Sequence, residues 1–241
     1  TEPLPCGDEQ VAGLSCYLDP DCAAGGWGCG AMGHKLCRAC GVGSDYPDCP
    51  SLGKTSPPPP PPSVSSPEVR TLQVSLYQGW TWISLNVELA DMSVRAVMGD
   101  LPLQAEDMLK SQGEFTNFYA GYGFYGTLAM MSTSEMFALK LSTAATLQLQ
   151  GTPVSLPKSV TLNSGWTWLS HPYATGLTLR VGAPDLEGGY AGDDQYKSQF
   201  SFAQYYAGYG WYGTLTTLEP GAGYRVKIGT GGRAVFKPSQ P

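Results

Sequence analysis

The chain has 241 residues, 42% of them hydrophobic, with 31 glycines and 20 prolines, enough apolar material for folded cores but punctuated in favour of strands and turns over long helices. Fourteen basic residues stand against 20 acidic ones, a formal charge of −6, and no Lys/Arg cluster could track a phosphate backbone, which argues against nucleic acid as a partner. No apolar run approaches the roughly 18 residues that a spanning helix needs, so no membrane span is expected, and the expected fold class is mostly β.

Residues 1–52 hold all seven cysteines: Cys6, Cys16, Cys22, Cys29, Cys37, Cys40 and Cys49. A segment this small and Gly-rich cannot bury enough surface to stay folded without covalent staples. The density therefore predicts a disulfide-stapled domain in an oxidising compartment, with a signal peptide removed before Thr1 and an extracellular location. The pairing stays open, and the odd thiol is either free or bridges to another subunit. A zinc site at Cys29, His34, Cys37 and Cys40 is the minor alternative, because it offers one C-x-x-C and leaves three cysteines unused.

Residues 53–66 form the linker. Its six consecutive prolines, Pro57, Pro58, Pro59, Pro60, Pro61 and Pro62, donate no backbone hydrogen bond and adopt the polyproline helix, a stiff spacer of roughly 19 Å. The run Ser56-Pro57-Pro58-Pro59-Pro60 resembles the motif of extensins and other hydroxyproline-rich glycoproteins of plant and green-algal walls. That resemblance implies hydroxylation and arabinosylation of Pro57 to Pro62, with Ser56, Ser63, Ser65 and Ser66 as further glycosylation sites. No N-x-S/T acceptor occurs in the chain.

From Pro67 onward one module is written twice, at 67–152 and 153–241. VSLYQGWTWISL (74–85) aligns with VTLNSGWTWLSH (160–171) at an offset of 86, and KSQ (110–112) with KSQ (197–199) at 87. The second register continues through YAGYGFYGTL (119–128) against YAGYGWYGTL (206–215) and FALKL (137–141) against YRVKI (224–228). A constant offset across so many anchors is an internal duplication. Leu72, Val74 and Leu76, and again Phe137, Leu139 and Leu141, alternate with other residues as half-buried antiparallel strands do. LEPGAGY (218–224) carries turn chemistry. In the first copy Asp91 is placed to cap a short helix through Val94, Val97, Met98 and Leu101, whereas GLTLRVGAPDLEGG in the second reads as strand and loop.

The GWTW start, the KSQ strand, the YGWYGTL segment and the LEPGAGY turn resemble a repeated module of large secreted bacterial and algal proteins. The cysteine block likewise resembles cysteine-rich segments of secreted algal proteins. These resemblances imply an extracellular β module and no chemistry.

Both copies of YAGYG(F/W)YGTL contain G-x-G-x-x-G, the spacing of a dinucleotide-binding turn. Strand-like residues follow Gly126 and Gly213 where such a site needs a helix, so the glycines are expected to let a tight turn or bulge pass between large rings. Catalysis is not expected. His34 and His171 are the only histidines, His171 faces Leu85 in the alignment, and no nucleophile elbow accompanies it. Glu106/Asp107 and Asp193/Asp194 are candidate acid/base pairs but read more simply as solvated charges. Asp185, Glu187, Asp193 and Asp194 offer oxygens for calcium without an EF-hand pattern. No cofactor or metal is expected.

The aromatic residues are the candidate binding groups: Trp80, Trp82, Tyr122 and Phe124, with Trp166, Trp168, Tyr209 and Trp211 in the second copy. Core packing competes for these rings, but alternation cannot bury Tyr122 and Tyr125 together with their neighbours, so some rings should reach the surface to meet a glycan or another subunit. The expected function is a secreted structural glycoprotein, a subunit that polymerises with itself head to tail in a filament, wall or flagellar hair and carries covalent glycans. The alternative is a tandem carbohydrate-binding protein of the cell surface, with extracellular polysaccharide as partner.

Overall fold

The computed structural model describes residues 15–18, 27–30 and 68–238. The chain divides into two units, Thr1–Val64 and Ser65–Pro241. In the first, β1 (Ser15–Leu18) and β2 (Trp27–Gly30) pair antiparallel and place Cys16 opposite Cys29. The other five cysteines and the hexaproline run with its flanking serines lie outside the described residues.

The second unit contains both modules. In module 1 the strands are β3 (Arg70–Leu76), β4 (Gly79–Ser84), β5 (Val87–Glu88), β6 (Met108–Lys110), β7 (Phe115–Tyr119), β8 (Gly123–Gly126), β9 (Met136–Leu141) and β10 (Ala145–Pro153), with α1 (Val94–Met98) between β5 and β6. Module 2 follows with β11 (Lys158–Leu162), β12 (Gly165–Leu169), β13 (Leu177–Thr178), α2 (Leu179–Gly182), β14 (Asp185–Leu186), β15 (Gln195–Lys197), β16 (Phe202–Tyr206), β17 (Gly210–Gly213), β18 (Thr217–Leu218), β19 (Tyr224–Ile228) and β20 (Gly232–Phe236). The expected mostly β, antiparallel class is what the structure has.

Each module builds a five-stranded sheet, in order β4-β9-β6-β7-β8 in the first and β12-β19-β15-β16-β17 in the second. A three-stranded sheet accompanies each: β3-β10-β5 and β11-β20-β14. Alternation explains the packing. Leu72, Val74 and Leu76 on β3 and Leu147 and Leu149 on β10 meet Ile83, Leu109, Phe137, Leu139 and Leu141 of the larger sheet in one core. Because side chains switch faces at every residue, the intervening polar positions point outward.

Two expectations about helices are corrected. The cap of α1 is Ser93, whose Oγ accepts from Ala96 N–H at 3.2 Å, while Asp91 braces that cap by accepting from Ser93 N–H at 2.8 Å. The second copy also has a helical turn at the matching place, α2, between β13 and β14. LTLRV alternates like a strand, but a single turn carries too little sequence to show a helical period.

Candidate functional site

Each GWTW segment lies on the outermost strand of its sheet, β4 or β12. An edge strand presents a row of unpaired N–H and C=O groups; here the other module occupies it. Trp82 N–H donates to Gln199 Oε1 at 2.9 Å, and Gln199 Nε2 donates to the Trp80 carbonyl at 2.7 Å. In return, Trp168 N–H donates to Gln112 Oε1 and Gln112 Nε2 donates to the Trp166 carbonyl, both at 2.8 Å. One carboxamide thus does for two residues what a neighbouring strand would do. Gln112 and Gln199 are the glutamines of the two KSQ segments, so equivalent residues exchange equivalent contacts. Such reciprocity defines a two-fold, self-complementary seam.

The LEPGAGY turn extends the seam along β4. Ser84 N–H donates to the Gly221 carbonyl at 2.9 Å, Gly223 N–H to the Trp82 carbonyl at 3.1 Å, and Ser84 Oγ to the Ala222 carbonyl at 2.6 Å. Its counterpart Ser170 donates through Oγ to the Thr133 carbonyl at 2.6 Å. Gly221 is required here twice over: its φ is +79°, and a Cβ would stand 2.6 Å from Val74 Cγ2.

Each of the four tryptophans has a cation over its ring. Lys110 Nζ lies 5.3 Å from the Trp80 ring centre, and Lys197 Nζ 4.9 Å from that of Trp166. The Arg225 guanidinium sits between Trp82 and Trp168, 4.1 and 4.4 Å from their ring centres, a cation–π contact on both of its faces. Arg225 faces Trp168 across the β12–β19 ladder as Ala138 faces Trp82 across β4–β9. The two copies therefore differ where the local two-fold brings them together. A groove of about 530 Å³ runs beside this stack, with Gln112, Glu135, Trp168 and Arg233 on its walls.

At the opposite edge of each sheet lies the aromatic hairpin, β7–β8 or β16–β17. Tyr122 N–H donates to the Tyr119 carbonyl, and Tyr209 N–H to that of Tyr206, both at 3.0 Å. Gly121 and Gly208, third in these turns, take φ of +83° and +81°, as type II geometry demands. The last glycine of each G-x-G-x-x-G allows a close approach: a Cβ on Gly126 or Gly213 would stand 2.2 Å from the carbonyl oxygen of Phe115 or Phe202. The motif is a hairpin with a tight strand contact.

Pleating sorts the hairpin rings onto two faces. Phe124 packs against the module 1 core, edge-on to Phe118 at 5.4 Å, and Trp211 packs against the module 2 core beside Tyr190, Tyr196 and Tyr205. Phe115, Tyr119 and Tyr125 are exposed, as are their counterparts Phe202, Tyr206 and Tyr212. Tyr122 and Tyr209 at the tips are 84% and 79% exposed. Of the eight aromatic candidates, the structure brings Trp82 and Trp168 together on Arg225, sets Trp80 and Trp166 beside Lys110 and Lys197 of their own modules, turns Phe124 and Trp211 inward, and leaves Tyr122 and Tyr209 outside. The flanking rings on the same outer face follow from the strand register, which the sequence pattern alone did not fix.

The acidic pairs serve as loop braces. Asp107, read from sequence as solvated, is buried and accepts from Gln104 N–H at 2.8 Å and from Ser142 N–H and Oγ–H at 2.7 Å each. Asp194 does the same for Ala191 N–H and Gly229 N–H, at 2.8 and 3.0 Å. Their neighbours Glu106 and Asp193 both take φ of +72°. Asp185 pairs with Lys237, and among the described residues no three His, Cys, Asp or Glu side chains come together around a common point.

His171 is buried against the rings of Tyr173 and Tyr224. Burial disfavours its charged form and pushes its pKa down to about 4, against the weaker opposing effect of the Thr175 carbonyl 3.2 Å from Nε2. Nδ1 has no partner. Comparison with protein-family models, with curated proteins and with solved structures returns no match for this chain.

Proposed function

We propose that the chain is a secreted structural glycoprotein, a self-assembling subunit of an extracellular filament, wall or flagellar-hair structure. The observation that carries this reading is how the repeated motifs are spent. The repeated GWTW and KSQ join the two modules through side-chain clamps and a shared guanidinium, with the LEPGAGY turn of module 2 added to them, and the remaining repeated feature, the hairpin, presents exposed uncharged rings on both modules. Contiguous exposed rings mark interaction surfaces, and a duplicated body with one on each half suits an assembly unit. The cysteine-dense first unit and the Ser-Pro run support secretion and glycosylation of the linker.

Intact mass spectrometry of protein from its native source, with electron microscopy of the same material, tests the reading. The expected result is a mass above that of the bare chain by added oxygens and pentoses, in a preparation that shows fibres. The bare mass with oxidised cysteines, in a preparation of dispersed monomers at high concentration, would overturn it.

A further inference from the structure

The two-fold seam is satisfied inside one molecule, so it recruits no further copy. Growth needs another surface, and two equivalent ones remain. We propose that the outer faces of the β7–β8 and β16–β17 hairpins are two like polymerisation ends, each taking the corresponding hairpin of a second copy of this chain. This inference rests on the self-assembly reading above; it names the contact and replaces head-to-tail stacking with end-to-end pairing.

Three observations select a second copy as the occupant. The first is charge. Residues 115–126, FTNFYAGYGFYG, and 202–213, FAQYYAGYGWYG, contain no charged residue and no proline, although β8 and β17 are edge strands. Edges that must stay solitary are usually guarded by Lys, Pro or inward-pointing charge, and these are unguarded. In a chain of net charge −6, two hairpins with no charge of their own, bordered by Lys110 and Lys197 opposite Phe115 and Phe202 and, in module 2, by Asp193 on Gln204, are the places where like molecules approach with least repulsion.

The second is area. Each face carries four rings, Phe115, Tyr119, Tyr122 and Tyr125 in module 1, exposed by 47–84%, so of roughly 150–250 Å² per whole ring about 500 Å² in all stands open. Two such faces in contact bury about 1,000 Å², the lower bound for a specific interface and the size of a reversible one. The third is symmetry. Each face can meet its like about a two-fold axis, as the two modules already do at the seam. A body with two like ends on opposite halves of a two-fold seam adds a neighbour at each end without using up its last contact, so growth does not stop at a dimer.

Sedimentation velocity of the full-length chain over a range of concentrations tests the proposal. Wild type is expected to grow beyond dimers. Tyr125→Glu alone or Tyr212→Glu alone, each blocking one end, is expected to stop at dimers, and the double variant is expected to be monomeric. Both rings are largely exposed, at 75% and 56%, so far-UV circular dichroism and the guanidinium unfolding midpoint should match wild type and confirm an intact fold. A double variant that polymerises like wild type would overturn the hairpin assignment and leave self-assembly standing. Single variants that are monomeric but dimerise when mixed would restore head-to-tail contact and overturn end-to-end pairing. Wild type that stays monomeric throughout, yet binds insoluble cellulose in a way the double variant loses, would overturn both readings in favour of a glycan surface.

Discussion

Modules 1 and 2 hang the same strands around different fillings. At the positions where module 1 places Leu103, Leu109, Phe118, Phe124 and Phe137, module 2 has Tyr190, Tyr196, Tyr205, Trp211 and Tyr224. The second set forms a continuous stack with ring centres 4.9–5.8 Å apart. The first set is smaller, and a cleft of about 350 Å³ opens beside Phe118, Phe124 and Arg95. Module 1 compensates with Val94, Val97 and Met98 of α1, which are buried in its core. A strand frame thus tolerates an aliphatic or an aromatic filling, provided volume and pattern are kept. The cost of the aromatic filling is polar: hydroxyls must be housed in the interior, and Tyr196 Oη is buried there without a partner.

The largest expected break in this comparison is truncation of the hairpin's inward ring. Trp211→Ala should cost about 3–5 kcal/mol, because it removes the centre of a closed stack. Phe124→Ala should cost about 2 kcal/mol, because its ring already borders open space. Guanidinium unfolding of the two variants measures the gap, and equal losses would mean that the two fillings are equally tight.

Acid should separate the modules next. His171 of module 2 replaces Leu85 of module 1, and both are buried. The folded-state pKa of about 4 lies below the unfolded value of about 6.5, so the unfolded chain binds the extra proton between these values. Stability contributed by His171 is then unaffected above pH 6.5, falls as the pH drops through this window, and levels off below about 4, a total of about 3 kcal/mol. His171→Leu, which copies module 1, should flatten that part of the pH–stability curve; an unchanged slope would show that the imidazole is protonated in the folded state.

The seam offers a smaller and more symmetric test. Arg225→Ala should lose about 2 kcal/mol of stacking on Trp82 and Trp168. Ala138→Arg alone should also destabilise, by placing two like charges between the same rings. Combined, the two changes move the guanidinium to the other half of the seam, and a thermal-melt double-mutant cycle should show the loss largely recovered. Additive losses would mean that the local two-fold does not extend to these side chains. The smallest effect has the opposite sign: Tyr196→Phe should stabilise by about 1 kcal/mol, since it removes a buried hydroxyl that bonds to nothing.

Much of this was legible in the sequence. The duplication and the antiparallel class follow from offsets and alternation, which also require some hairpin rings to reach the surface without saying which. What alternation cannot supply is the neighbour. It says that Trp82 leaves one face of its strand and is silent on Gln199, 117 residues away, whose amide bonds the Trp82 backbone. A carboxamide reading a main chain leaves no pattern of paired side chains, so KSQ looked like one more strand fragment. Asp107 looked solvated because its partners are the backbone of Gln104 and the backbone and hydroxyl of Ser142. The α2 turn was lost because four residues are shorter than one reliable period.

The Ala138/Arg225 difference also bears on the symmetry of the seam. Two identical chains meeting about an exact dyad must present the same residue twice at the axis, and there is room there for one guanidinium. With both halves in a single chain each can vary alone, so Ala138 and Arg225 form an asymmetric pair that an exact dyad between identical chains would forbid. Losing module 1 would leave Arg225 against Trp168 alone, and losing module 2 would leave the Trp82 ring without its cation, so each half depends on the other at this pair.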